Sequence, residues 1–177
     1  MSNTPNSSTK ETIESIYQCV YRSLSFVEAK NGSLVVFNTA LLLGLADFFK
    51  EYCSYCHFWR TTFTAISIAL LIISLGLSLW SFMPRKKSKN KKEKKKDNFI
   101  YSTEGLTNIG EKGLRDFLMK DEPDYSFTEA DNAKIKDIMC TANSSSRKYK
   151  LFRCALRTAI FGIIAIFILL IINLYTY

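Results

Sequence analysis

Residues 61–83, TTFTAISIALLIISLGLSLWSFM, decide the fold, because they hold no charged side chain over 23 consecutive positions. A helix needs about 20 predominantly apolar residues to cross the roughly 30 Å hydrocarbon core of a bilayer. Two other stretches approach this length, SLVVFNTALLLGLADFF at 33–49 and TAIFGIIAIFILLIINLYTY at 158–177. For 33–49, which ends near Asp47, the alternative is a buried helix of a soluble domain. We predict an all-α membrane protein with three transmembrane helices and a small cytoplasmic helical bundle.

Positive charge is concentrated beside the second span, where residues 85–96 read RKKSKNKKEKKK, nine basic side chains against one acidic. Residues 1–32 and 84–157 together hold 22 of the 24 Lys and Arg residues. Because basic loops stay in the cytoplasm, we predict a multi-pass protein whose N-terminus and residues 84–157 are cytoplasmic. The lysine tract has no aromatic residue on which bases could stack. We therefore expect attraction to the anionic headgroups of a lipid membrane and no nucleic-acid partner.

The spacing of apolar residues outside the spans predicts cytoplasmic helices. An S-x-x-E pattern at Ser8 predicts the N-cap of the first of them, and a weaker cap at Thr128 opens a helix that continues into the third span. A short helix is predicted at 111–120. The predicted segments are a disordered tail at 1–8, an N-terminal helix at 9–32, spans at 33–50, 61–83 and 158–177, a polybasic arm at 84–98 and a cytoplasmic helical region at 99–157.

The motif from Cys53 to His57, CSYCH, matches the C-x-x-C-H pattern of c-type haem attachment. The short loop at 50–60 supplies neither a second axial ligand nor an apolar pocket, so we do not expect haem. A redox-active pair or a disulfide remains an alternative to two ordinary cysteines. His57 is the only histidine, and no nucleophile has a base at a recognisable spacing. We therefore expect no catalytic residue, no metal site, no cofactor and no enzymatic activity.

Polar residues at the membrane boundaries and inside the first span are the candidate site residues. Asn38 lies within the first span, where an amide needs a partner; that partner is either another helix of the same chain or a second copy. Basic, acidic and phenolic groups precede the first and third spans, where they could form a pocket for a phosphate-bearing ligand. The alternative is an interfacial belt with an ion pair of the Glu28–Lys148 type. The candidate ligand-binding residues are Arg22, Glu28, Lys30, Asn31, Lys148, Tyr149 and Lys150.

Five short motifs occur in a recognisable order along the chain. They are VEAKNG at 27–32, LVVFNTALLLG at 34–44, FIYS at 99–102, AKIKDI at 133–138 and KYKL at 148–151. Over residues 15–175 this order resembles the PycTM family, the transmembrane effectors of Pycsar bacterial anti-phage systems.

The resemblance implies an effector of the bacterial inner membrane. Such an effector senses a cyclic pyrimidine mononucleotide, cCMP or cUMP, that an adjacent cyclase makes, and it impairs membrane integrity so that infection is abortive. A homo-oligomer is expected. The alternatives are a related membrane effector of the CBASS type and a membrane scaffold protein that takes no part in signalling.

Overall fold

A computed structural model describes residues 6–52, 58–83 and 102–175 of the chain, and these residues form four α-helices and no strand. The helices are α1 (Asn6–Tyr52), α2 (Phe58–Phe82), α3 (Thr103–Asp121) and α4 (Glu129–Tyr175). Three of them, α1, α2 and α4, are long and apolar enough to cross a membrane. The predicted fold class is confirmed. The CSYCH motif and the polybasic arm lie outside the described residues.

The chain divides into two units. The first unit contains α1 as far as Val27, all of α3, and α4 as far as Lys148. The second unit contains α1 from Glu28, all of α2, and α4 from Tyr149. The continuous course of α1 and α4 agrees with the sequence, in which helical spacing leads into the first and third spans without a break.

The first unit is built around an apolar core to which three helices contribute. On α1 the core residues are spaced three and four apart, which places them on one helix face. A close-packed apolar core of this kind gives the unit most of its stability. The buried core residues are Ile13, Ile16 and Val20 of α1, Leu106, Leu114 and Leu118 of α3, and Ile135, Ile138, Met139 and Ala142 of α4.

Helix α3 is longer than the sequence indicated, because it contains a bend that a glycine makes possible. Gly110 has φ 75° and ψ 178°, a conformation outside the helical region, and such a backbone is essentially restricted to glycine. The part after Gly110 corresponds to the helix predicted at 111–120. The part before it starts after Ser102, whose hydroxyl accepts a hydrogen bond from the Gly105 amide at 3.0 Å.

Replacing Gly110 with alanine should destabilise the first unit by about 1–3 kcal/mol, because a Cβ is strained at this φ and ψ. Hydrogen–deuterium exchange of the α3 amides in detergent micelles measures the effect as faster exchange. Gly32→Ala is the matched control, since nothing lies within 4 Å of a Cβ placed there. Equal exchange in the two variants would contradict the assignment of strain to Gly110.

The start of α4 carries a capping box, which was the weaker of the two caps that the sequence suggested. The Thr128 hydroxyl accepts from the Asp131 amide at 3.2 Å, and the Asp131 carboxylate accepts from the Thr128 amide at 3.0 Å. Both N-terminal amides are thereby satisfied. The cap predicted at Ser8 is wrong, because α1 already begins at Asn6.

Tyr125 adds a third partner to this cap, since its buried hydroxyl donates to Asp131 at 2.8 Å. Burial and the adjacent carboxylate raise the pKa of Tyr125 to about 12. A raised tyrosine pKa favours the neutral form, so its contribution to stability is complete below about pH 10 and is lost as the pH rises through 12.

Tyr125→Phe should therefore lower the free energy of unfolding of the first unit by about 1–3 kcal/mol at neutral pH, the loss of one buried hydrogen bond to a charged group. The wild-type protein should lose this advantage between pH 10 and 12. Unfolding curves of both proteins across that range check the prediction. A difference that stays constant up to pH 12 would contradict it.

Candidate functional site

The outer and inner faces of α2 differ in chemistry. Large apolar side chains such as Ile72, Leu79 and Trp80 are more than half exposed, as expected of groups that contact lipid. The opposite face is buried and largely polar. Its members lie three or four residues apart and are each at most 3% exposed: Thr64, Ser67, Leu71, Ser74, Ser78 and Ser81. This arrangement, apolar outside and polar inside, is characteristic of helices that associate within a membrane.

Two asparagines of α1 pair with the polar face of α2. The side-chain amide of Asn31 donates to the Ser81 hydroxyl at 2.8 Å, and that of Asn38 donates to the Ser74 hydroxyl at 2.8 Å. Both pairs are fully buried or nearly so. Since the asparagines and their serine partners are each seven residues apart and run in opposite directions, the two helices are antiparallel. We call Asn31, Asn38, Ser74, Ser78 and Ser81 the Asn–Ser seam.

Helix α4 joins the seam through its backbone. The Ser74 hydroxyl donates to the Ala155 carbonyl oxygen at 2.7 Å, so one hydrogen-bonded chain links α1, α2 and α4. Because Ser74 uses its only proton in this bond, it can act only as an acceptor toward Asn38. The Asn38 amide nitrogen must therefore point at Ser74, which leaves the Asn38 carbonyl oxygen to find another partner.

That oxygen has no partner among the described residues, and it is one of three such atoms. Asn31 Oδ1, Asn38 Oδ1 and Ser78 Oγ are all buried without a hydrogen bond. Each unpaired buried polar group costs about 1–3 kcal/mol. Three of them lie along one seam, so this part of the interior has hydrogen-bonding capacity that no described residue uses.

Small residues on α4 let its backbone approach the seam. Ala155 and Ala159 are at most 1% exposed. Gly162 is packed against Leu71, since a Cβ added to Gly162 would lie 3.3 Å from the Leu71 Cδ2 and Cγ atoms. Leu71 is 0% exposed and is the one apolar side chain on the polar face of α2.

Part of the set of boundary residues predicted from the sequence comes together in the second unit. The Lys30 ammonium group lies 5.9 Å from the centre of the Phe152 ring, and that ring lies 6.5 Å from the ring of Tyr149. The Arg153 guanidinium lies 5.1 Å from the Tyr149 ring. These four side chains form a cation–aromatic cluster. Sequence reasoning left Phe152 out, although it lies three residues from Tyr149 and therefore on the same helix face.

The other predicted residues occupy different surroundings. Asn31 is fully buried in the seam, Glu28 is half-buried, and Lys150 is exposed. Arg22 and Lys148 belong to the first unit, where Arg22 is exposed and Lys148 is half-buried. A ligand-binding role for these residues stays a prediction.

The two groups of residues offer different chemistry. The cation–aromatic cluster supplies donors for phosphate oxygens and ring faces for stacking, whereas the Asn–Ser seam supplies neutral donors and acceptors for water or ions. Within the described part of the chain, no group of three or more His, Cys, Asp or Glu side chains is placed to hold a metal ion.

The chain is similar to a known protein family over most of its length. A family model described as the Pycsar effector protein domain matches residues 12–175, which include parts of all four helices and of both units. No curated protein and no solved structure matches the chain.

Proposed function

The chain belongs to the Pycsar effector family, and we propose that this antiphage membrane effector senses a cyclic pyrimidine mononucleotide and then impairs the integrity of the inner membrane. The nucleotide, cCMP or cUMP, would come from an adjacent cyclase. Loss of membrane integrity would abort the infection before phage are released. The observation that carries the membrane part of this proposal is the Asn–Ser seam, with its three unpaired polar atoms on helices that are long and apolar enough to cross a membrane.

The seam supports a model in which the resting effector leaves the membrane intact and the signalled effector impairs it. At rest the polar groups of the spans are buried against one another, while apolar side chains face outward. The three unpaired atoms reduce the free-energy advantage of this arrangement over others in which they find partners. A ligand can shift such an equilibrium only if it binds the active arrangement more tightly than the resting one.

The cation–aromatic cluster is the best candidate for the sensing site within the second unit. A cyclic pyrimidine mononucleotide has one negatively charged phosphate and one small aromatic base. Lys30 and Arg153 match the first, and Tyr149 and Phe152 match the second. Lys30 precedes Asn31 directly on α1, so a ligand that repositions Lys30 also acts on the helix segment that holds the seam.

The remaining features of the proposal concern assembly and orientation. We propose a homo-oligomer in the inner membrane, with the N-terminus and residues 84–148 in the cytoplasm, where the cyclase product accumulates. The boundary predicted at residue 157 lies too late, because Ala155 accepts a hydrogen bond from Ser74 in the second span. The distribution of Lys and Arg supports this orientation. Protease protection in spheroplasts, probed with an epitope at the N-terminus, tests it.

The proposal as a whole is tested in cells that carry the effector with its cyclase. We expect phage infection to collapse the membrane potential, measured with a voltage-sensitive dye, and to lower phage yield. The membrane potential should survive in cells without the cyclase. An unchanged potential and an unchanged phage yield in infected cells would reject the proposal in favour of a scaffold protein.

Nucleotide binding is measured on the purified protein in detergent. At a hundredfold excess over the dissociation constant, cCMP or cUMP should stabilise the protein by about 2.7 kcal/mol, seen as a higher unfolding temperature. Lys30→Ala should remove this stabilisation, whereas Lys112→Ala, at an exposed lysine of α3, should retain it. Stabilisation by cyclic dinucleotides alone would instead favour a CBASS-type effector.

A further inference from the structure

We propose that the polar face of α2 from Thr64 to Ser81, together with the asparagines of the Asn–Ser seam, lines the path by which water and small ions cross the membrane when the effector is active, and that Leu71 closes this path at rest. The inference rests on the proposed function and adds the route and the gate. The serines alone would not indicate a path, because small residues also serve to let helices pack closely. The unpaired, fully buried oxygens of Asn31 and Asn38 are a second observation, and they belong to side chains directed at the seam serines.

The polar face of α2 is long enough to extend across most of a bilayer. The polar face of α2 runs from Thr64 to Ser81, which at 1.5 Å per residue is about 26 Å along the helix axis. The hydrocarbon core of a bilayer is roughly 30 Å thick. The polar face of α2 thus extends over most of the distance in which water needs polar groups, whereas a contact that only joins two helices needs one or two pairs.

Leu71 is placed where an apolar side chain would close the polar path. On the buried face of α2, polar residues lie on both sides of this leucine. Helices α1 and α4 also bury an apolar cluster of Leu34, Ala155 and Ala159, against which Leu77 of α2 packs. An apolar side chain in an otherwise polar path blocks it by expelling water. Gly162 gives Leu71 its place, because a larger residue on α4 would contact the leucine Cδ2 and Cγ atoms at 3.3 Å. Leu71 therefore has the location and the packing of a gate.

The unpaired polar atoms of the Asn–Ser seam would find hydrogen-bond partners in water. The carbonyl oxygens of Asn31 and Asn38 need donors, and the Ser78 hydroxyl needs a donor or an acceptor. Water supplies all of them. When the helices separate enough to admit water, the penalty of these groups, about 1–3 kcal/mol each, is removed. Hydration of the seam thus favours the active arrangement.

The chemistry of the lining predicts the selectivity. The Asn–Ser seam consists of amides and hydroxyls and includes no charged side chain. Rings of charged side chains are one source of strong selection between cations and anions in pores, and the seam has none. We therefore expect K⁺ and Cl⁻ to pass with similar ease, which would dissipate the membrane potential without requiring a large lesion.

Cysteine accessibility tests the inference. In a variant whose five native cysteines are replaced by alanine, Ser78→Cys places a thiol in the seam and Leu79→Cys places one on the exposed apolar face. Both proteins are reconstituted in liposomes and treated with a charged methanethiosulfonate reagent, with and without cCMP or cUMP, while ion flux is recorded. Thiols react as thiolates and therefore need water.

We expect the nucleotide to accelerate modification of Ser78→Cys by at least about tenfold, since a thiol reacts only once it is hydrated, and to leave Leu79→Cys unmodified. Ser67→Cys, with Ile66→Cys as its control, provides a second pair if the first does not fold. Nucleotide-dependent flux without modification of either cysteine on the polar face of α2 would overturn the inference and leave the proposed function standing. Absence of flux in the wild type as well would overturn both.

Discussion

The Ile135→Ala variant should lose about 2–5 kcal/mol of stability in the first unit, the largest stability effect that we expect of any single substitution in this protein. Ile135 is 0% exposed and belongs to the apolar core that α1, α3 and α4 share. Truncation removes buried methyl and methylene groups and leaves a cavity between the helices. Since every 1.4 kcal/mol is a factor of ten, α3 amides that exchange through opening of the unit should exchange about 30- to 4,000-fold faster.

Hydrogen–deuterium exchange of the full-length protein in detergent micelles measures this effect locally. Ile135→Val is the matched control, because it removes a single methylene and should cost only about 0.5–1.5 kcal/mol. Exchange in the α2 segment, which belongs to the other unit, reports whether the effect stays local. Protection of α3 that is equal in the alanine variant and the wild type would show that the core does not hold α3 in place.

Composition was sufficient to predict the membrane fold. The absence of charge over 61–83 left no alternative to a span, and helical spacing before the first and third spans predicted helices that continue into them. The extent of α3 could not be predicted, because glycines in a sequence usually interrupt a helix. Gly110 does interrupt α3, since glycine tolerates φ near 75°, but the chain is helical on both sides of it.

The site was only partly accessible to sequence reasoning. Asn38 was recognised because an amide in an apolar segment needs a partner, but the identity of that partner depends on the register between distant helices. The pairing of Asn38 with Ser74, 36 residues away, cannot be deduced from spacing. Thr64, Ser67, Ser74 and Ser78 are three, seven and four residues apart, and this helical spacing was visible in the sequence. It was missed because serine scarcely lowers the hydropathy of a leucine- and isoleucine-rich span.

Replacing Leu71 with serine should make the effector leak ions without any nucleotide, which is the largest functional effect that we expect. The substitution extends the polar face of α2 across its one apolar position and removes the barrier to water. It also removes the packing of Leu71 against Gly162. If the resting arrangement loses about 2 kcal/mol from this contact, the active fraction rises about 30-fold.

Cells that produce Leu71→Ser without the cyclase should therefore lose membrane potential and stop growing. Leu79→Ser makes the same chemical change on the exposed face of the same helix, and it should leave the potential intact. The amount of each variant in the membrane is measured by immunoblot, so that failure to insert is not mistaken for absence of an ion leak. Leu71→Ser that is abundant in the membrane and harmless would show that Leu71 does not hold the path closed. A leak from Leu79→Ser as well would assign the effect to general weakening of α2 rather than to the gate.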